Sequence, residues 1–398
     1  MIDFSPSPEL EEIRRKTLAF MDEHVYPAEQ RYPGHHGLPP ETERELQQKA
    51  RALGLWAPHL PAESGGMGIG VVGLALINEI LGRSPIAPRL LNCAAPDSGN
   101  MELLHLAASP EQRRKYLAPL VEGECRSCFA MTEPEVAGSD PTLLQARAEI
   151  EGDCWILNGH KWFISGAMGA RFAIAMMVTD PEAEPHRRAS MILVDADTPG
   201  YNVIRAVPVM GSHGQGGHCE MRFENCRVPR SNLLGQRGEG FRLAQQRLGP
   251  GRIQHCMRWL GVAQRAFEMM CRRALSRVAF GGPLAEKQSV QNWIADSRAE
   301  MDAFRLMTLH AAWRMDRKLD ARVEISLIKF FGARVLHDVL DRAIQVHGAL
   351  GYSGDTPLEA FYREARAARI YDGADEVHRV VVARRILKQF QQEAPAKA

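Results

Sequence analysis

Apolar and polar positions alternate along this chain in three successive regimes. From Pro8 to about Glu124, Leu10, Ile13, Leu18 and Met21 recur at helix-like spacing with charged residues between them. Pro/Gly-rich breaks at Tyr32-Pro33-Gly34, Leu38-Pro39-Pro40 and residues 58–70 punctuate that region. Residues 73–81 and 101–106 read as buried helices. From Cys128 to about Arg230 the period shortens to two. Gln145, Arg147 and Glu149 alternate with Ala146, Ala148 and Ile150, the signature of a half-buried strand. Glu151-Gly152-Asp153 reads as a turn, and residues 154–157 run into Asn158-Gly159, a strong hairpin signal, ahead of 161–165. Segments 172–178, 191–194, 201–205 and 220–223 continue the series, so the region predicts an antiparallel barrel or sandwich. From Gly240 onward long helical patterns return, at about 241–278, 288–318, 321–349, 357–371 and 375–391. The expected organisation is an N-terminal helical domain (1–126), a central β domain (127–236) and a C-terminal helical bundle (237–398).

Composition narrows the function classes. The chain has 398 residues, 49 basic and 48 acidic groups, and 45% hydrophobic residues, which is an ordinary globular balance. A net charge of +1 argues against a dedicated nucleic-acid binder. No apolar run approaches the roughly 18 residues of a spanning helix, and Met1-Ile2-Asp3-Phe4 does not begin a signal peptide. Eight cysteines are too sparse for a disulfide scaffold, so reduced thiols and a cytoplasmic location are expected. The near-neutral total hides a split. Residues 1–126 and 127–236 each carry a net −4, whereas 237–398 carries +9. An arginine-rich bundle is compatible with anionic ligands, although many of its arginines belong to ordinary solvated helix faces.

Several motifs have modest explanations. Gly68-Ile69-Gly70-Val71-Val72-Gly73 matches G-x-G-x-x-G, but a Pro/Gly loop precedes it instead of a strand, so a loop entering a helix is expected. Cys125-Arg126-Ser127-Cys128 has no βαβ context and no second cysteine pair. His213, His218 and Cys219 lie in a Gly-rich loop without metal-ligand spacing. Four other segments carry chemistry. Thr132-Glu133-Pro134, with Ala137-Gly138-Ser139-Asp140, places small and hydroxylated residues after the first strand. Trp162-Phe163-Ile164-Ser165 sets aromatic surface beside a hydroxyl, either a plain edge strand or a wall for a flat ring. Arg277 with Phe280-Gly281-Gly282-Pro283 ends a long helix, as a solvated arginine or as an anion ligand. Gln345 to Tyr352 reads as a helix end with glycine caps. In Ile370-Tyr371-Asp372-Gly373-Ala374-Asp375-Glu376-Val377-His378, an acid at 372 or 375 is either an N-cap for the last helix or a base at a helix junction.

Taken together these segments resemble the acyl-CoA dehydrogenase family over residues 8–391. The resemblance rests on Thr132-Glu133-Pro134 with Gly138-Ser139-Asp140, Asn158-Gly159-His160-Lys161-Trp162-Phe163-Ile164-Ser165, Arg277 with Phe280, Gln345 with Gly348, and Tyr371-Asp372-Gly373. It implies an N-terminal helical domain, a central antiparallel β-barrel and a C-terminal four-helix bundle, with FAD between barrel and bundle, in homotetramers or homodimers. It implies that Phe129, Met131, Thr132, Phe163 and Ser165 meet the flavin. Arg277, Phe280, Gln288, Gln345, Gly348, Ala349, Ala374 and Glu376 would complete the cofactor contacts, some of them in a neighbouring subunit. Ser139, Arg252, Tyr371 and Gly373 would contact an acyl-CoA substrate. Asp372 would remove the α-proton as the β-hydrogen leaves as hydride to flavin N5, and an electron-transferring flavoprotein would be the acceptor. The flavin carries the difficult chemistry, and burial of the base by substrate raises its pKa.

The sequence departs from the family pattern at several positions. Asp372 stands where most members carry Glu, which shortens the reach by about 1.5 Å. Gly251 occupies the position where some members place the base, so Asp372 has no carboxylate rival there. Ala374 replaces a common Thr, and Ala349 a Gly. The form Asp372-Gly-x-Asp-Glu-Val-His, with Arg247-Leu-Gly-Pro-Gly-Arg252, resembles a branch found fused to a kinase-like domain in animals, which raises the expectation of a separate acyl-CoA kinase partner. The alternatives on the same fold are a nitroalkane-oxidase-like or acyl-CoA-oxidase-like flavoenzyme, or a non-catalytic FAD- or acyl-CoA-binding subunit.

Overall fold

A computed structural model of the chain describes residues 5–33, 37–211 and 217–393. His213, and Gly34 of the first Pro/Gly break, lie outside the described residues. The main helices are α1 (Pro8–Phe20), α2 (Pro40–Ala52), α3 (Gly70–Leu81), α4 (Asp97–Ala107), α5 (Gly240–Ser276), α6 (Gln288–Asp316), α7 (Arg322–His347), α8 (Leu358–Ala365) and α9 (Asp375–Glu393). The strands are β1 (Ser127–Ala130), β2 (Arg147–Glu151), β3 (Cys154–Ser165), β4 (Phe172–Val178), β5 (Ala189–Asp195), β6 (Tyr201–Ala206), β7 (His218–Pro229) and β8 (Leu233–Leu234). The chain folds into two compact units. One comprises Met1–Tyr32, Ile69–Pro88 and Gly249–Ala398, and the other Pro33–Gly68 and Arg89–Leu248. Thus α1 and α3 belong to the unit that holds the C-terminal helices, and α2 and α4 to the unit that holds the strands. Among the described residues no helix is long and apolar enough to cross a membrane.

In the helical unit, α7 packs against α6, α8 and α9, while α3 lies against α1 and α6. Its core draws Ile253, Met257 and Leu260 from α5, Met301 and Phe304 from α6, and Ile328, Val335 and Val339 from α7. Local signals start the helices as the sequence suggests. Ser7 accepts a hydrogen bond from the Leu10 amide, and Pro8 supplies the first turn of α1. At α3 the amides of Val71 and Val72 both donate to the Asp316 carboxylate, at 2.7 and 3.0 Å. An anion-binding helix terminus is therefore filled by the protein's own carboxylate. Among the described residues no strand precedes it, and the Gly68–Gly73 motif is the loop-to-helix junction its context predicted.

In the other unit the described strands form one eight-stranded sheet, in the order β6-β7-β3-β2-β4-β5-β8, with β1 pairing parallel to β4. The pairing is mostly antiparallel, as expected, but the expected barrel is not closed. The ladder ends at β6 and at the two-residue β8, and β2 meets β4 through one register pair, Arg147 opposite Val178. β4 is buried on both faces. Phe172, Ile174 and Met176 enter one core with Met101, Leu104 and Tyr116, and Ala173, Ala175 and Met177 enter another with Trp155 and Leu157. This is the period-two alternation of a strand covered on two sides.

Asn158-Gly159 does not make the hairpin turn that its dipeptide predicts. β3 runs straight through it, and the turn into β3 is Glu151-Gly152-Asp153. At 158–159 the β3–β7 register shifts, and Asn158 pairs with Asn225 across the ladder. Gly159 is needed for close approach: a Cβ there would lie 2.2 Å from that of Ala146. Tertiary packing, not the turn preference, selects this glycine.

Candidate active site

The 371–373 segment sits between a short 3₁₀ turn (Arg366–Arg369) and α9, and two successive residues adopt left-handed backbone. Asp372 has φ +54° and Gly373 φ +104°. Asp tolerates that region better than most residues, but at 373 a Cβ would stand 2.7 Å from His378 Nε2, so only glycine fits. Groups from three helices hold the turn. Arg252 Nε on α5 donates to the Asp372 carbonyl at 2.8 Å, and His378 Nε2 on α9 meets the same carbonyl at 3.2 Å. Lys329 Nζ on α7 donates to the carbonyls of Ala368 (2.7 Å) and Gly373 (3.3 Å) and lies about 5 Å from the rings of Trp259 and Tyr371. Trp259 Nε1 donates to the Tyr371 hydroxyl at 2.7 Å.

Asp372 also interacts through its charge with both Arg252 and Lys329. Its carboxylate, about one-fifth exposed, faces the His255 imidazole, with Oδ2 3.4 Å from Nε2. Burial pushes His378 down to about 4, aided by the Arg252 charge, and its Nδ1 is buried without a partner. A neutral ring donating from Nε2 fits both facts. Burial also draws the Lys329 ammonium below its usual range and pushes the Tyr371 phenol up. Of the two acids considered at this junction, Asp375 is the more buried. It begins α9 and pairs with Arg369 at 2.9 Å. Ala374 is half-buried, its carbonyl accepting from the His378 amide, and Glu376 is exposed.

The remaining expected residues of this unit lie on its surface. Arg277 follows α5, and Phe280, with φ +49°, is 99% exposed at the tip of a tiny ribbon pairing Val278–Ala279 with Gly282–Pro283. Gln288 opens α6, Gln345 lies in the last turn of α7, and both are exposed. Gly348 (φ +64°) closes α7 by donating to the Ile344 carbonyl, and exposed Ala349 follows it.

In the sheet unit, Thr132 bonds the edge of β3 twice. Its hydroxyl donates to the Trp162 carbonyl at 2.5 Å, and the Trp162 amide donates to its carbonyl at 3.1 Å. Beneath them the fully buried Lys161 donates to Glu133 Oε1 (2.7 Å), Met131 O (2.9 Å) and Met176 O (2.8 Å), and Glu133 also accepts the amides of Gln145 and Ala146. Phe163 (φ +53°) is 42% exposed beside the Trp162 ring, and Ser165 Oγ lies 2.8 Å from His218 Nδ1. Phe129 and Met131 are half-buried, with the Arg247 guanidinium 4.3 Å over the Phe129 ring. Ser139 is exposed on the loop beyond. Thr132, just after β1, thus bonds the strand β3 that also carries Phe163 and Ser165.

Among the described residues no cluster of His, Cys, Asp and Glu is arranged to hold a metal. Cys125 and Cys128 are free thiols, the latter buried 3.6 Å from the Tyr201 hydroxyl and pushed up to about 12 by burial. Sequence reasoning missed His255, Trp259 and Lys329. His255 was accessible in principle, since it lies three residues beyond Arg252 and shares its helix face. Lys329 lies in α7 with no local motif around it. The role of the Lys161–Glu133 pair was likewise hidden inside two motifs singled out for other residues.

Family models of acyl-CoA dehydrogenases match almost the whole chain: the N-terminal domain at 7–124, the middle domain at 128–226 and the C-terminal domain at 238–387. The chain is 47% identical over 396 residues to "Probable acyl-CoA dehydrogenase FadE2" of Mycobacterium tuberculosis, covering 96% of each. It is 42% identical to acyl-CoA dehydrogenase family member 10 of Mus musculus, over 98% of this chain and 38% of that protein. The chain spans about half or less of the length of the animal relatives it matches. A solved Mycobacterium abscessus protein assigned to the acyl-CoA dehydrogenases superposes with a TM-score of 0.93 at 43% identity, over 97% of this chain and all of that one.

Proposed function

Because the chain belongs to the acyl-CoA dehydrogenase family, a family of oxidoreductases, we propose that it catalyses FAD-dependent α,β-dehydrogenation of an acyl-CoA thioester with Asp372 as the base. The observation that carries this reading is the 372 turn. Arg252, His378 and Lys329 hold its backbone carbonyls, and the carboxylate, about one-fifth exposed, faces the His255 imidazole. A general base needs a fixed origin and access to the substrate proton, and a held turn with a partly exposed carboxylate suits both.

The donor set suits FAD. Phe163 offers uncovered aromatic surface beside the hydroxyls of Thr132 and Ser165, and Phe280 is almost wholly exposed three residues after Arg277. Thr132, Phe163 and Ser165, with Phe129 and Met131 behind them, would hold the ring system, and Arg277, Phe280, Gln288, Gln345, Gly348 and Ala349 the remainder, in a homodimer or homotetramer. Bound FAD would supply the hydride acceptor, and an electron-transferring flavoprotein would reoxidise it. Ser139, Arg252, Tyr371 and Gly373 would position the thioester. Excluding water from the carboxylate as substrate enters would favour its neutral, protonated form and so strengthen it as a base.

Anaerobic titration of the purified yellow protein with a panel of acyl-CoAs tests the reading. Bleaching of the flavin band by at least one straight, branched or 4-hydroxylated acyl-CoA is expected, with loss of that bleaching in Asp372→Asn. Absence of bleaching across the panel overturns the dehydrogenase reading. Oxygen consumption at the rate of turnover would assign an oxidase instead.

A further inference from the structure

The groups around Asp372 divide their work unevenly. The Arg252 guanidinium bonds the backbone carbonyl of 372, and the Lys329 ammonium bonds those of 368 and 373. The His378 ring also meets the 372 carbonyl, and Arg369 pairs with Asp375. The buried Cys256 thiol is pushed up to about 12, so it holds its proton near neutral pH. What faces the carboxylate itself is the imidazole of His255, 3.4 Å away and with a similar small exposure. The ring is held at 5.0 Å from that of Tyr371 and stacks at 6.4 Å along that of Trp259, one turn further on α5. A histidine so placed lies within one small adjustment of a hydrogen bond to Oδ2 and cannot easily turn away.

We propose that His255 is the proton partner of Asp372, so that the base is a carboxylate–imidazole pair and not a lone carboxylate. This deepens the reading of Asp372 as base and rests on it. In the proposed ground state the imidazolium N–H opposite Oδ2 stabilises the carboxylate. When the carboxylate takes the α-proton, the Cα–H bond breaks and an O–H bond forms. The released electron pair becomes the Cα=Cβ bond, and bound FAD would supply the acceptor for the β-hydrogen with its own pair. With the carboxylate neutralised, the imidazolium releases its Nε2 proton to solvent, and the proton on Asp372 then passes to that vacated nitrogen, which restores the ion pair for the next turnover. Arg252, Lys329 and His378 are further titratable groups around the pair. His255 is a positioning and proton-holding residue that acts through Asp372.

The test separates proton removal from hydride loss. 3-Thiaoctanoyl-CoA and 3-thiadodecanoyl-CoA have acidic α-hydrogens but a sulfur in place of the β-carbon, so no hydride can leave. Exchange of their α-hydrogens for solvent deuterium is followed by mass spectrometry on the FAD-loaded wild type, His255→Gln and Asp372→Asn across pH 5–9. Wild type is expected to exchange and Asp372→Asn not. His255→Gln keeps an amide donor but holds no extra proton. It is expected to exchange about tenfold more slowly near neutral pH, with the acid limb of its profile moved upward by about one unit, because losing an imidazolium raises the pKa of its carboxylate neighbour. A second readout needs no turnover. The His255 NMR signal, assigned by its loss in His255→Gln, is expected to titrate about one unit lower in Asp372→Asn, a substitution that leaves the backbone carbonyl and its two bonds in place. Exchange by wild type with an unchanged profile in His255→Gln overturns the pair while leaving Asp372 as base. A slowing that is uniform across pH assigns His255 a packing role and also overturns it, as does a His255 titration indifferent to residue 372. No exchange by wild type with either probe overturns the reading of Asp372 itself.

Discussion

Two polar clusters, one in each unit, are built from similar groups and are fitted for different work. Around Lys161 every proton of a buried ammonium has an acceptor, and the acceptor carboxylate of Glu133 takes two backbone amides besides. Nothing in that cluster is left to react, and its effect is to fix the carbonyl of Met131 and the loop that carries Thr132. Around Asp372 the cations bond backbone carbonyls, and the carboxylate meets the His255 imidazole. Buried polar atoms without partners, His378 Nδ1 and Asp375 Oδ1, occur beside it. The lesson is one of saturation. A closed network becomes scaffold because each member would leave an unpaired charge behind, whereas an open one retains a group able to exchange a proton.

The contrast predicts distinct outcomes for substitutions at the two places. The largest effect is expected at the open cluster: Asp372→Asn should slow anaerobic flavin reduction by about 10²–10⁴-fold while the melting temperature and the flavin spectrum hold. A large loss of stability there would mean that the carboxylate is structural after all. At the closed cluster, Lys161→Met leaves the Glu133 carboxylate buried without its counterion. It should destabilise the fold by about 3–5 kcal/mol in urea titrations. If Lys161→Met instead lowers turnover at unchanged stability, the division of roles is wrong.

A smaller effect separates the clusters by pH. His378 has a folded-state pKa of about 4, below its unfolded value of about 6.5, so the unfolded chain binds a proton that the native state refuses. Stability should therefore be constant above about pH 6.5, fall as pH drops toward 4 by roughly 2–3 kcal/mol, and then level off with respect to this group. Urea midpoints at pH 4.5 and 7 should differ less in His378→Gln than in wild type. The smallest effect is expected for Gly373→Ala, whose Cβ meets His378 Nε2 from a left-handed backbone. A cost of about 1–3 kcal/mol, with slower flavin reduction as the turn shifts, would distinguish it from an ordinary loop glycine.

Much of the fold was legible because its signals are local. The helical spacing of α1, the long helices after Gly240 and the alternation in β2 each announce an element without reference to the rest of the chain. So does Gly348, the cap of α7. The failures occur where a distant neighbour decides. Asn158-Gly159 has the composition of a turn, but Ala146 and Asn225 hold it inside a strand. The antiparallel sheet was expected to close, yet the shortness of β8 and the single β2–β4 pair leave it open. At the site, Asp372 could be picked out from its motif, but its neighbours Lys329, His255 and Arg252 are 43, 117 and 120 residues away along the chain.

The sequence by itself determined the order of elements, the motifs that mark the family, and the identity of the acid at 372, since spacing and side-chain type are properties of neighbouring residues. Tertiary structure decided which polar groups are saturated and which are left open. That choice depends on burial and on which carbonyls, rings and imidazoles from α5, α7 and α9 converge on one turn. Lys161 and Lys329 are the same residue type, both buried, and both begin as an unremarkable cation in the sequence. Only their surroundings bind one to a carboxylate and the other to backbone carbonyls, because a charge removed from water must take whatever partners the packing brings within reach.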